Sequence, residues 1–194
     1  MHAQGCRFAV IGADGVGKST VVFRFVNGEF VEDFDPTIAD DYRKQYTLDD
    51  KLLSVEIVEY TSEYLNAMAR DYRHAIKGYM FMYAITSKQS LEDMKEIYKH
   101  FEDGYAFFSQ NPDNGKALVI VGNKSDLQEH RQVSAEEGEA LAKEWGCKFY
   151  EISAKTNENL DNVFETIITD TYAIAKGSKK RIQKKKKKQI CTAM

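Results

Sequence analysis

Short apolar runs and stretches of helical periodicity take turns along this chain. Residues 7–11 form a nearly unbroken apolar run that ends in a glycine-rich turn, which predicts a buried strand; 18–26, after the turn, reads as a helix. Apolar and polar residues interleave over 42–48 and 52–58, on either side of Asp49-Asp50-Lys51, the pattern of two strands joined as a hairpin. Residues 79–85 and 117–121 are apolar runs of strand length bounded by Gly78 and Gly122, and 148–152 is a shorter one. Ser134-Ala135-Glu136-Glu137 has the form of a capping box and opens a helix that runs to Trp145. Leu160, Val163, Phe164, Ile167 and Ile168 recur at helical spacing and predict a last amphipathic helix ending near Ala175. The alternation predicts an α/β fold: a mostly parallel sheet with helices on both faces and one antiparallel edge. In such sheets ligands bind beyond the carboxyl ends of the strands.

Composition agrees with one globular domain. Of 194 residues, 43% are hydrophobic and 12% aromatic, too many for a disordered chain. No run reaches the roughly 18–20 apolar residues that cross a bilayer, and the N-terminal residues lack the apolar stretch of a signal peptide. Cys6, Cys147 and Cys191 are odd in number and widely spaced, so the expectation is a reducing, cytosolic setting without disulfides or a zinc site. The four histidines have no metal-ligand spacing. Net charge is −3, but it conceals a division. Residues 176–194 hold nine basic residues and no acidic one, leaving a balance of −12 on residues 1–175. The reading is a domain over 1–175 followed by a disordered polybasic tail over 176–194. An acidic body argues against nucleic-acid binding.

The candidate chemistry sits where the predicted strands end. Gly12-Ala13-Asp14-Gly15-Val16-Gly17-Lys18-Ser19 matches G-x-x-x-x-G-K-[ST] between a strand and a helix. Its glycines let backbone N–H groups wrap phosphate oxygens, and the helix start adds partial positive charge. Asp14, Gly15, Val16, Gly17, Lys18, Ser19 and Thr20 are therefore candidate phosphate-site residues, with Lys18 on the β- and γ-phosphates and Ser19 on Mg²⁺. A second motif names the base. Asn123-Lys124-Ser125-Asp126 follows one strand, and Ser153-Ala154-Lys155 follows the next. An aspartate carboxylate accepts both N1–H and N2–H₂ of guanine, a pair that adenine lacks, and the second loop supplies backbone N–H to the guanine oxygen. Asn123, Lys124, Asp126, Ser153, Ala154 and Lys155 are the candidate base-site residues, and they exclude an ATP-dependent enzyme.

With these motifs in place, the chain from about Gly5 to Ala175 resembles a Ras-family small GTPase. The resemblance implies a P-loop G domain of six strands and five helices, bound GTP or GDP with Mg²⁺, and a monomer that cycles with an exchange factor. It implies that Phe34-Asp35-Pro36-Thr37-Ile38 is a switch segment in which Thr37 meets Mg²⁺ and the γ-phosphate. By the same resemblance Phe30 packs on the guanine, and effector proteins contact residues 34–42, Asp40 and Tyr42 among them. The second switch departs from the family pattern. Glu59 falls where an aspartate orders Mg²⁺ indirectly, Ser62 where a glycine N–H meets the γ-phosphate, and Glu63 where a glutamine orients the attacking water. An ionised carboxylate only accepts, whereas the amide also donates. Asp14 replaces a glycine beside the γ-phosphate and adds negative charge where more develops. Ala39 replaces an acid of the effector segment, and about six extra residues fall near 101–116, with Tyr105, Phe107 and Phe108 among them. These changes predict slow hydrolysis, with a non-cycling scaffold as the alternative.

The tail adds a location. Cys191-Thr192-Ala193-Met194 has the C-terminal C-a-a-X form, and Met at the end favours a farnesyl group on Cys191. One lipid anchors weakly, so a second signal is needed, and the run Lys184 to Lys188 supplies it against an anionic leaflet. The expectation is a lipid-anchored switch on the cytoplasmic face of a membrane, the plasma membrane first.

Overall fold

The computed structural model describes residues 4–31, 41–61, 76–108 and 115–177. Six strands, β1 (Gln4–Gly12), β2 (Asp41–Leu48), β3 (Lys51–Tyr60), β4 (Gly78–Ala84), β5 (Ala117–Asn123) and β6 (Lys148–Glu151), form one sheet in the order β2-β3-β1-β4-β5-β6. Only the β2–β3 pair is antiparallel. Their register pairs Leu48 with Lys51, so the hairpin turn is the two residues Asp49-Asp50, both at positive φ. That conformation suits the right-handed twist of the flanking strands, and Asp tolerates it better than most residues.

Among the described residues four α-helices cover the sheet: α1 (Lys18–Asn27), α2 (Lys88–Phe108), α3 (Ala135–Trp145) and α4 (Leu160–Ala175). The fifth helix implied by the resemblance is not among the described residues. α2 goes beyond the elements read from the pattern, although Leu91, Met94, Ile97 and Phe101 recur along it at helical spacing and are all buried. Its last turns run into the segment near 101–116, as far as Phe108. Tyr105, Phe107 and Phe108 lie on those turns, and their side chains fall outside the described residues. α3 carries both halves of the expected capping box, Ser134 with Glu137.

Alternation along the strands feeds two cores. Phe8, Val10, Met80, Met82, Val119 and Val121 face α1 and α4. Ala9, Ile11, Tyr79, Phe81, Tyr83 and Ile120 face α2 and α3. Every residue of β4 is buried, which is why this strand reads as a continuous apolar run. In the first core Phe25 of α1 stacks on Phe164 of α4 with ring centroids 3.8 Å apart. Lys44 of β2 lies over the same Phe25 ring and donates to the carbonyl oxygens of Phe25 and Val26 at the end of α1. In the second core Tyr98 of α2 stacks on Trp145 of α3 at 3.5 Å.

Five parallel strands thus end on one edge of the sheet, and the loops leaving β1, β5 and β6 meet there with the end of β3. Phe164→Ala, at the joint between α1, β1 and α4, is expected to cost about 3–5 kcal/mol. A urea titration would read this as a lower midpoint at unchanged slope.

Candidate functional site

The loop after β1 owes its shape to close approaches. A Cβ on Gly12 would collide with the carbonyl oxygen of Met82 and lie 3.2 Å from Val16 Cγ2. Gly15 and Gly17 stand at φ +75 and +92, the left-handed region that glycine enters freely. A Cβ on Gly17 would sit 2.6 Å from Asn123 Nδ2. α1 starts directly after Gly17, which offers no side chain to cap it. The free N–H groups of a helix start, with its positive dipole end, suit an anion.

Lys18 is only 7% exposed. Its Nζ donates to the Ala13 carbonyl at 2.9 Å and lies 3.8 Å from Asp14 Oδ1. Burial pushes its pKa below the ordinary lysine value, and the charges of Asp14 and Glu59 pull it back up. Asp14 itself points outward, its side chain 91% exposed. Ser19 donates its hydroxyl to Glu59 Oε2 at 2.5 Å. β3 runs to Tyr60, two residues beyond the predicted strand, so Glu59 is held in the sheet opposite Val10 instead of lying in a loop.

The base motifs lie on the neighbouring strand ends. Asn123, the last residue of β5, is 2% exposed and donates from Nδ2 to the Val16 carbonyl at 2.9 Å. Its Oδ1 is buried with no hydrogen-bond partner among the described residues. Lys124, at φ +67, donates to the Gly15 carbonyl at 2.8 Å. Asp126 Oδ1 accepts from Ser153 Oγ at 2.6 Å. A carboxylate has about four acceptor positions, so this bond leaves room for the two N–H donors of guanine. Ser153 Oγ also accepts from the Thr156 N–H at 3.0 Å, and Ala154 is buried beside it. Lys155 is exposed.

Glu158 was not legible as part of this site. It accepts from Ser125 Oγ at 2.7 Å, and its carbonyl takes the Ser153 N–H at 3.2 Å, closing the 153–158 loop on the Asn123 loop. No motif marks it, because the contact needs the loop to fold back first. The structure brings Lys18, Ser19 and Glu59 together, and likewise Asp126 with Ser153. It leaves Phe30 leaning on the α1 core, half-buried. Tyr42 is 7% exposed and packs in the same core, so Arg43, Gln45 and Thr47 form the exposed side of β2. Thr37, Asp40, Ser62, Glu63 and Cys191 lie outside the described residues.

The polar groups fit a phosphate-bound magnesium ion. No cluster of three or more His, Cys, Asp or Glu able to hold a metal occurs among the described residues. Mg²⁺ does not require one: it is commonly held by one or two protein oxygens together with substrate phosphates. The Ser19 hydroxyl and the Glu59 carboxylate are hard oxygen donors of that kind.

The chain is similar to known sequences over most of its length. The Ras family model matches residues 7–173. The chain belongs to the Ras family. It is 36% identical to the mouse GTP-binding protein Di-Ras2 over 189 residues, which cover 95% of this chain and 92% of that protein. Protein ras-1 of Neurospora crassa is 36% identical over 165 residues, 84% of this chain and 75% of that protein. A Ras-like protein of Laccaria bicolor is 34% identical, covering 84% and 76%. The fold is thus that of a Ras-like small GTPase.

In this Ras-family chain the loop geometry makes Gly17→Ala a sharp test. The substitution forces a side chain into the left-handed region and against the Asn123 amide, at an expected cost of about 1–3 kcal/mol. Gly5→Ala, with open space around its Cβ, should change stability by no more than about 0.5 kcal/mol. Urea unfolding of both variants without nucleotide reads the difference.

Proposed function

We propose that this chain is a guanine-nucleotide switch that hydrolyses GTP slowly and works while anchored to a membrane. The observation that carries the nucleotide reading is the joining of the three loops. Asn123 and Lys124 donate to the phosphate loop at Val16 and Gly15, while Ser153 donates to Asp126. Base-reading and phosphate-wrapping groups are thereby held at a set spacing on one sheet edge, as binding of a single nucleotide requires.

The chain's own residues divide the work as follows. The N–H groups at 14–20 wrap the phosphates, and Lys18 neutralises the β- and γ-phosphates. Asp126 reads guanine by accepting its two N–H donors, and Phe30 flanks the base. Ser19, Thr37 and, indirectly, Glu59 would hold Mg²⁺, which would offset the negative charge developing on the phosphates. Thr37 and Ser62 would sense the γ-phosphate and pass its presence to effectors through residues 34–42. Turnover should be slow, because Glu63 cannot both accept from water and donate to phosphate. Asp14 adds charge of the wrong sign and stands, 91% exposed, where an activating protein would approach the phosphates. The tail over 176–194 supplies the membrane reading, with the farnesyl group on Cys191 and the lysine run acting together.

Single-turnover GTP hydrolysis with Mg²⁺, run beside a Ras relative, tests the switch. We expect tight binding of both GDP and a non-hydrolysable GTP analogue, with hydrolysis at least about tenfold slower than the relative's. Equal rates would overturn slow turnover. Failure to bind the analogue would mean a scaffold that does not cycle. For location, Cys191→Ser is expected to move the protein from the membrane to the soluble fraction of cells; a variant that stays on the membrane would count against the lipid anchor.

A further inference from the structure

The loops that carry Asp126 and Ser153 leave different strands, and an ion pair that no motif marks ties the stretches flanking them. Arg131 follows the 3₁₀ turn Gln128–His130, and Glu151 is the last residue of β6. Their side chains meet in a two-pronged contact, Arg131 Nη1 to Glu151 Oε1 at 2.6 Å and Nη2 to Oε2 at 2.7 Å. They are only 21% and 19% exposed, so the contact is strong and little screened by salt. The guanidinium has further partners. Nη1 also donates to the Val133 carbonyl at 2.8 Å, and Nε donates to Gln128 Oε1 at 2.9 Å. Gln128 in turn donates from Nε2 to the Ser125 carbonyl at 2.6 Å. On the other side, the Glu151 carbonyl accepts from Asn159 Nδ2 at 2.9 Å, at the far end of the second loop. Arg131 thus links Ser125, one residue before Asp126, to Glu151, two residues before Ser153.

We propose that Arg131 and Glu151 are positioning residues for guanine: their ion pair sets the spacing of the two base loops and so lets Asp126 accept both N–H donors of the base at once. This rests on the reading of Asp126 as the guanine contact. A buried ion pair contributes little net stability compared with apolar residues of the same volume, and what it fixes here is geometry. The bond from Ser153 holds one oxygen of the Asp126 carboxylate. Two parallel bonds to the base need the direction of the whole carboxylate, which follows from where its loop stands. Hydrogen bonds weaken steeply as they bend. A guanine held out of line therefore loses two bonds, whereas hypoxanthine, which lacks the 2-amino group, has only one to lose. Lysine in place of Arg131 would keep the charge without the planar fork that engages Glu151, Val133 and Gln128 together.

The test compares the affinities of the whole chain for GDP and for inosine diphosphate, by competition against a fluorescent GDP with Mg²⁺ present. The wild-type chain should prefer GDP by at least about tenfold. Arg131→Gln and Glu151→Gln should each cut that preference by about threefold or more, and the double variant should cut it no further, because each change removes the same tie. Arg131→Lys should fall between wild type and Arg131→Gln. Phe164→Ala, at the joint of α1 and α4, should lower the melting temperature and leave the preference unchanged. A preference kept in Arg131→Gln and Arg131→Lys would overturn the proposal alone. So would an equal loss in Phe164→Ala, the mark of general instability, or losses that multiply in the double variant. If the two glutamine variants fail to fold, Arg131→Lys decides by the same ratio. A wild-type chain that does not distinguish the two nucleotides would overturn the reading of Asp126, and this proposal with it.

Discussion

The Asn123 amide donates to the Val16 carbonyl at 2.9 Å, joining residues 107 apart in the chain. Both groups are buried, so each needs a partner, and the geometry around them follows from that need. The loop after β1 must bring its carbonyl to the end of β5. Gly17 must lack a side chain, because a Cβ would lie against the same amide. α1 must begin where the loop turns, which puts Lys18 and Ser19 at its first two positions. The sheet makes this possible by ending β1, β4 and β5 side by side, with Gly12 paired to Met82 and Ala84 to Asn123.

Much of the fold was legible because both faces of the sheet are covered. A strand buried on both sides has no polar face, so β4 and β5 stand out as apolar runs between glycines. The hairpin showed through its interleaved pattern and the Asp49-Asp50 pair, and α3 through its capping box. α2 itself was not read from the pattern. Its buried positions Leu91, Met94, Ile97 and Phe101 are separated by charged residues such as Glu92, Lys95 and Glu96, so the apolar stripe is thin. Strand ends were also underestimated: β3 continues through Glu59 and Tyr60 because backbone pairing to Val10 and Ile11 carries it on past the apolar residues.

At the site, the motifs marked the residues but not their mutual bonds. Lys18, Asn123 and Asp126 were readable because phosphate and guanine chemistry constrain residue type and spacing. The ties from Lys124 to Gly15, from Ser125 to Glu158 and from Ser153 to Asp126 link residues from different loops. No local pattern encodes such pairs; they exist only once strand order sets the loops next to each other. Tyr42 shows the converse, a residue matched to a partner-facing position whose ring lies in the core.

The phosphate loop and the end of β3 stand in different relations to the core. Gly12 and Gly17 are packed so closely that a single added carbon meets neighbouring atoms. Glu59 comes directly after the last buried residue of β3, Val58, and one residue before the strand ends at Tyr60. Change at the first place unbalances folding; change at Glu59 removes no side chain from either core cluster. A lineage screened only for folded protein would therefore keep its grip on a nucleotide long after losing the means to cleave one. Drift in such a protein would slow its clock before loosening its hold.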